Sequence, residues 1–246
     1  MKKISLANAL RFSIQSLRRD FFYFLSLVLV AFGVSLVPRV GEWLSAGHAF
    51  LFVAWALIDI VVAVLIPLGL VRMYLRYYEG IKISYQDLFT TTKYFWRYLA
   101  VGVIYGFISL PFILGGFWLV VSLFSFATPV SDTFLSLLAT WLRTIAYTPL
   151  RSVVVIVLMM ASIVYLVRTS LCYFVLVDEN CGPFTALKKS FAYTRGALFP
   201  LLLIMLIFIL INVAGTAVFF VGSFITIPLT QLAFVYIYHS LKKGAA

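Results

Sequence analysis

Residues 198–221 read LFPLLLIMLIFILINVAGTAVFFV and contain no Asp, Glu, Lys or Arg. A helix needs about 20 mostly apolar residues to cross about 30 Å of hydrocarbon, so this stretch is long enough to span a membrane. Backbone groups in lipid must bond internally, and an uninterrupted apolar run lacks the alternation of a barrel strand. The stretch therefore predicts a transmembrane helix and an all-α fold.

Five further apolar runs flank this stretch. They cover roughly residues 21–38, 50–73, 98–124, 153–177 and 223–240. The composition agrees, because 64% of the residues are hydrophobic, 11% are charged and the mean hydropathy is +1.10. Soluble domains average about 45–50% apolar and about 25% charged residues. The sequence predicts one integral-membrane domain, residues 1–246, with about six transmembrane helices.

Lysine and arginine indicate the orientation, because positively charged loops are retained in the cytoplasm. With the N-terminus inside, all but four of the 19 Lys and Arg residues fall on the cytoplasmic side. The exceptions are Arg39, Arg143, Arg151 and Arg168. We therefore expect a multi-pass protein of a plasma membrane with both termini in the cytoplasm.

Three segments that precede spans are basic and amphipathic, and we expect them to form helices at the cytoplasmic interface. They are Ile4 to Asp20, Ser84 to Tyr98 and Pro183 to Gly196. A fourth amphipathic helix, Ser131 to Tyr147, is expected on the outer side. Cations of the basic segments are candidate ligands of anionic headgroups. These are Arg11, Arg18, Arg19, Lys93, Arg97, Lys188, Lys189 and Arg195.

The basic segments resemble one another in register. Their superposition aligns Leu10 with Leu88 and Leu187, and then Ser13 with Thr91 and Ser190. This suggests a threefold repeat of one basic helix followed by two spans, over residues 4–73, 84–177 and 183–240. Chance identities in a biased composition are the alternative.

Two charged residues fall inside predicted spans, Asp59 in the second and Arg168 in the fourth. A charge at the bilayer centre costs about 2.5–3.5 kcal/mol on insertion scales, so each should face a partner or water. Their predicted depths are similar, so they could form an intramembrane polar pair. The pair could serve a transport pathway, or it could fix the helix register as a buried ion pair.

Enzymatic chemistry has little support in this sequence. His48 and His239 are expected on opposite sides of the membrane, and Cys172 and Cys181 lack metal-site spacing. No catalytic or phosphate-binding motif is present, and no nucleic-acid-binding motif accompanies the net charge of +11. We therefore predict no catalytic residue, no cofactor, no metal and no nucleic-acid partner.

One stretch resembles a known family. Residues 167–200 read VRTSLCYFVLVDENCGPFTALKKSFAYTRGALFP. This pattern resembles an uncharacterised bacterial integral-membrane family that includes YciC-like proteins and the membrane domain of glycerophosphoryl diester phosphodiesterases. The resemblance implies a bacterial inner-membrane protein without the phosphodiesterase activity. The family-like motif maps onto Arg168, Asp178, Glu179, Gly182, Ala186, Leu187, Ser190, Thr194, Arg195 and Gly196.

These observations favour a non-enzymatic membrane protein that interacts with the bilayer and its anionic lipids. A scaffold or subunit role, with a membrane-protein partner or a second copy of the chain, is part of the same hypothesis. The alternative is a small transporter or permease component that uses Asp59 and Arg168. A lipid-modifying enzyme would need Asp178 and Glu179 to converge with a metal at the inner interface.

Overall fold

The computed structural model describes residues 5–45, 47–88, 91–125, 149–217 and 222–244. These residues form α-helices and short 3₁₀ turns, and the described ranges contain no strand. The all-α class is therefore confirmed. The outer amphipathic helix expected between Ser131 and Tyr147 lies outside the described residues.

Nine α-helices follow one another in the described part of the chain. They are α1 (Leu6–Arg19), α2 (Phe21–Leu44), α3 (Ala49–Tyr78), α4 (Phe95–Ser125), α5 (Pro149–Thr169), α6 (Cys172–Asp178), α7 (Pro183–Tyr193), α8 (Leu198–Ala217) and α9 (Ser223–Lys243). Within the described ranges, six stretches are long and apolar enough to cross a membrane. These six are Phe21–Leu44, Ala49–Tyr78, Thr92–Gly115, Ile156–Asp178, Leu198–Ala217 and Ser223–Lys243. The six predicted spans are thus confirmed, although α3 continues to Tyr78, beyond the predicted end at residue 73.

The three basic segments differ in local structure. The first forms α1, and Ser5 caps its N-terminus. The Ser5 side chain accepts a hydrogen bond from the Asn8 backbone N–H at 3.2 Å. The third forms α7, where Pro183 occupies the first turn. The second is two 3₁₀ turns, Tyr85–Leu88 and Thr92–Tyr94, which lead into α4 instead of forming a separate helix.

The chain divides into two compact units, residues 1–101 with 168–246, and residues 102–167. In the first unit α1 packs on α9, α2 packs on α3, and α6 packs on both α3 and α7. Its largest fully buried side chains include Phe24, Leu68, Tyr74, Leu176 and Tyr238. In the second unit the Ser162 hydroxyl donates to the Leu158 carbonyl at 2.9 Å, and Tyr105 contacts Tyr165 edge to face.

Gly69 lets the second basic segment approach α3 closely. A Cβ atom at this position would lie 2.4 Å from the Leu88 carbonyl oxygen and 2.8 Å from its Cα. Only glycine leaves room for such a backbone contact within a helix. The first 3₁₀ turn is therefore seated directly on the third quarter of α3.

The threefold repeat stays a prediction, but the aligned hydroxyl residues share an environment. Ser13, Thr91 and Ser190 are each fully buried. Ser13 donates to the Leu10 carbonyl at 2.9 Å, and Thr91 donates to the Leu88 carbonyl at 3.3 Å. Ser190 instead donates to a carbonyl of another helix, so the third segment departs from the pattern of the first two.

Candidate functional site

Several elements of the first unit meet at one end, which we call the basic end. The Tyr77 hydroxyl of α3 donates to Asp20 Oδ2 at 2.6 Å, and Phe12 of α1 packs against Tyr236 of α9 with ring centroids 5.6 Å apart. The Arg97 guanidinium donates to both the backbone and side-chain oxygens of Asn180 at 3.1 Å. At this end α1 therefore contacts α9, α3 is tied to the junction of α1 and α2, and α4 is tied to the loop between α6 and α7.

The acidic pair Asp178 and Glu179 lies in that loop. Asn180 follows with a φ of 48°, a left-handed conformation that asparagine tolerates better than most residues, and Pro183 then begins α7. The side chains of Asp178 and Glu179 are each only 14% exposed. The chain reversal therefore holds both carboxylates against the neighbouring helices.

Each carboxylate is bound by one tyrosine and at least one lysine. The Tyr238 hydroxyl and the Lys242 ammonium each donate to Asp178 Oδ2 at 2.6 Å. The Tyr193 hydroxyl donates to Glu179 Oε1 at 2.6 Å. We call this group the acid-pair cluster: Asp178, Glu179, Lys189, Tyr193, Tyr238 and Lys242.

The two halves of the acid-pair cluster are joined. Lys189 forms a salt bridge with Glu179 Oε2, and Lys242 also approaches Glu179 Oε1 at 3.4 Å. Lys242 thus bridges the two acidic residues and ties α9 to the loop before α7. Charge-assisted hydrogen bonds of this kind are about twice as strong as neutral ones, so the cluster fixes the positions of three helices.

The electrostatics of the cluster keep Glu179 ionised. Burial raises the pKa of Glu179, but the hydrogen bonds from Lys189 and Tyr193 and the charge of Lys242 outweigh it, so this pKa lies below its usual value. Burial and the hydrogen bond to Glu179 raise the pKa of Tyr193. The tyrosine therefore stays a neutral donor, and the glutamate stays a charged acceptor.

The cluster does not have the composition of a metal site. Within the described ranges, no group of three or more His, Cys, Asp or Glu side chains could hold a metal ion. Asp178 and Glu179 converge on the Lys242 ammonium, which lies 2.6 Å from Asp178 Oδ2 and 3.4 Å from Glu179 Oε1.

Other residues of the family-like motif secure a break in a predicted span. Helix α5 ends at Thr169 and α6 begins at Cys172, so the predicted span is interrupted at residues 170 and 171. The Ser190 hydroxyl donates to the Arg168 carbonyl at 2.8 Å, and the Thr194 hydroxyl approaches the same oxygen at 3.3 Å. Further along the motif, Ala186 is fully buried, and Gly196 has a φ of 80° at the turn after α7.

The structure does not bring Asp59 and Arg168 together as an ion pair among the described residues. Asp59 Oδ1 instead lies 4.0 Å from Arg39 Nε, across the α2–α3 hairpin. The predicted depths assumed that the second span ends near residue 73, whereas α3 continues to Tyr78, which places Asp59 farther from the basic end. Arg168 is the residue before the last one of α5, so it lies at the C-terminal end of its helix.

The candidate headgroup ligands fall into two sets. Arg19, Arg97 and Lys189 contact Asp20, Asn180 and Glu179, respectively. The others are Arg11, Arg18, Lys93, Lys188 and Arg195; these are exposed, and no acidic residue of the described chain pairs with them. On α1, the exposed arginines lie opposite the buried Ala9, Ser13, Ser16 and Leu17.

A pocket of about 360 Å³ opens at the basic end between the start of α2 and the turn after α3. Its described lining includes Arg19, Asp20, Tyr77, Gly80 and Lys82. Arg19 Nε lies 3.7 Å from Asp20 Oδ2, and Lys82 is exposed on the other chain segment. The pocket therefore presents two cationic side chains around one carboxylate whose other partner is a tyrosine hydroxyl.

The lysine and tyrosine partners of the acid pair were not singled out from sequence. A signal existed, because Lys189 and Tyr193 are four residues apart on α7, and Tyr238 and Lys242 are four residues apart on α9. Residues at this spacing share one helix face. Each helix therefore offers a cation and a hydroxyl to one carboxylate.

Comparisons with family models, with curated proteins and with solved structures found no match to this chain. The resemblance of residues 167–200 to the bacterial membrane family therefore stays a prediction. The described ranges are all-α, with six stretches long and apolar enough to span a membrane and a polar cluster at one end.

Proposed function

We propose that this chain is a non-enzymatic protein of a bacterial inner membrane that binds anionic phospholipid headgroups at the basic end. Both termini lie in the cytoplasm in this proposal. The observation that carries it is the set of exposed cations without acidic partners, Arg11, Arg18, Lys93, Lys188 and Arg195. The acid-pair cluster supports it, because Asp178 and Glu179, the acidic residues just before α7, are already bound by Lys189 and Lys242.

The attraction between these exposed cations and an anionic membrane surface is strong enough to retain lipid headgroups. A Lys or Arg near an anionic membrane surface contributes about 1 kcal/mol, and the effect falls off within a Debye length. The packing of α1 on α9 holds Arg11 and Arg18 on a fixed surface, so fewer degrees of freedom are lost on binding. The pocket beside Arg19 and Lys82 offers a concave site for one phosphate at the same end.

The test is native mass spectrometry of the purified protein, with retained phospholipid as the readout. We expect wild-type protein to retain phosphatidylglycerol in preference to phosphatidylcholine, and added salt to weaken this retention. Replacing Arg11, Arg18, Lys188 and Arg195 by Gln should lower the retention of phosphatidylglycerol more than tenfold.

The matched control exchanges Arg and Lys at the same four positions and thus keeps every charge. This control should retain lipid as the wild type does. A wild-type protein that is a lipid-free, solitary monomer under gentle conditions would contradict the proposal. A co-purifying membrane protein in place of lipid would support the scaffold form of the hypothesis.

The transporter alternative has less support. It relied on Asp59 and Arg168 as one polar pair, and Asp59 contacts Arg39 instead. A transporter of polar substrates needs a polar, water-accessible pathway. The larger cavity near Arg39 is lined mainly by apolar side chains, which favours a lipid occupant over a hydrated one.

A further inference from the structure

A second cavity, of about 790 Å³, follows one face of α2. This volume falls within the range of about 300–1,000 Å³ that is typical of small-molecule sites. We call it the α2 groove. On α2 it is lined by Val28, Ala31, Phe32, Ser35 and Arg39, and α3 and the first turn of α9 complete it.

The spacing of these five residues places them on a single helical stripe about 17 Å long. Val28 and Ala31 are buried and form the floor, whereas Phe32 is 50% exposed at the rim. The Ser35 hydroxyl donates to the Ala31 carbonyl at 2.8 Å, so its proton is not available to a ligand. The interior of the groove therefore offers an elongated apolar surface.

Arg39 is the one charged side chain in the described lining of the groove. Its Nε atom lies 4.0 Å from Asp59 Oδ1, which is longer than a hydrogen bond. A guanidinium has five N–H donors, and the described residues make no hydrogen bond with this one. Its side chain is 69% exposed, so the donors are open to an acceptor that enters from outside the protein.

Arg39 also lies at a suitable depth for a headgroup. Helix α2 begins at Phe21 beside the basic end, and the rise to Arg39 is about 27 Å. This distance approaches the roughly 30 Å thickness of the hydrocarbon core. With α2 across the membrane, Arg39 reaches the headgroup level of the leaflet opposite the basic end, and the apolar groove extends from it toward the midplane.

We propose that the α2 groove binds one acyl chain of an anionic phospholipid from that opposite leaflet, with the lipid phosphate on Arg39. A guanidinium can donate two parallel hydrogen bonds to a phosphate group. The phosphate oxygens would thus accept the hydrogen bonds that Asp59 does not accept. The apolar stripe accepts the chain, and the charged end accepts the phosphate. This inference goes beyond the proposed function, because the site lies in the other leaflet and shares no residue with the headgroup ligands of the basic end.

The first experiment uses the full chain in nanodiscs that contain phosphatidylglycerol with a photoreactive diazirine on its acyl chain. After irradiation, labelled peptides are mapped by mass spectrometry. We expect the label to concentrate on residues 28–39 and 223–227. Uniform labelling of every lipid-facing helix would overturn the inference.

Matched substitutions on α2 then test the two ends of the groove. Ala31→Phe fills the floor and should lower groove labelling several-fold. Val30→Phe adds the same bulk at a residue that is 40% exposed and is not part of the groove lining, so labelling should be unchanged. Equal labelling of the two variants would overturn the inference.

Arg39→Gln removes the charge without filling the groove. It therefore provides a second test if the Ala31→Phe variant does not fold. It should lower labelling of the groove by the phosphatidylglycerol probe about tenfold, the effect of one charge-assisted hydrogen bond to the lipid phosphate. Unchanged labelling would overturn the role of Arg39. Arg11→Gln with Arg18→Gln should leave groove labelling intact, so failure here and failure of the proposed function are separable.

Discussion

Two arrangements of charge in this molecule contrast sharply. In the acid-pair cluster, each carboxylate accepts a hydrogen bond from a tyrosine at 2.6 Å and binds a lysine as well. Near the far end of α2, Asp59 and Arg39 make a single contact of 4.0 Å. In the first arrangement the carboxylates accept their hydrogen bonds from side chains of the protein, as expected of residues that hold helices together. In the second, N–H groups of Arg39 stay available, as expected of a residue that binds a ligand.

The largest effect is expected from Asp178→Ala. The change leaves the Tyr238 hydroxyl without its acceptor and removes one of the two carboxylates at Lys242. A hydrogen bond to a charged group contributes about 1.5–3 kcal/mol, and Lys242 keeps Glu179 as a partner, so we expect the free energy of unfolding to fall by about 2–3 kcal/mol. Reversible unfolding in detergent micelles measures it. The control is Glu79→Ala, which changes an exposed acidic residue. An equal loss of unfolding free energy in this control would show that the cluster does not contribute specifically to stability.

A smaller, pH-dependent effect is expected from Glu179. Its pKa is lowered in the folded protein, so its contribution to stability is complete above the unfolded value of about 4.3 and is lost as the pH falls through the folded value. Unfolding midpoints measured from pH 7 down to about pH 3 should therefore decline below about pH 4. Glu179→Gln cannot titrate, so this part of the decline should be absent in that variant. Parallel curves for the two proteins would count against the predicted shift.

The smallest effect is expected from Asp59→Asn. The single long contact with Arg39 resembles an exposed ion pair, whose contribution is about 0–1 kcal/mol. We therefore expect the unfolding free energy to change by less than about 1 kcal/mol. Asp59→Asn and Arg39→Gln measured singly and together give the coupling energy of the pair. A coupling as large as that between Asp178 and Lys242 would erase the contrast between the two arrangements.

The spans were predictable because length and hydropathy are local properties of the chain. Residues 198–221 hold no acidic or basic side chain, and α8 begins at Leu198 as expected. Helix ends at the interface were less certain, since Arg72 and Arg76 lie within α3 and the helix continues to Tyr78. A basic residue near a span end therefore marked the interface but not the end of the helix.

The pairings between helices were not predictable, because periodicity indicates which face a residue occupies but not which helix it meets. Asp59 was assigned to Arg168 from similar depths, and its neighbour is Arg39 on the adjoining helix of the same hairpin. Asp178 and Glu179 stood out as an acidic pair, yet their partners come from α7 and α9. A chain neighbour across a short loop is a safer first candidate than a distant residue at equal depth.

Hydrogen bonds from α7 couple this helix to the end of α5. The Ser190 and Thr194 hydroxyls lie 2.8 Å and 3.3 Å from the Arg168 carbonyl oxygen. If α7 moved away from this end of α5, the oxygen would lose both donors, at a cost of about 1–3 kcal/mol if it stayed buried. A change in the position of α7 is therefore expected to alter the end of α5 as well.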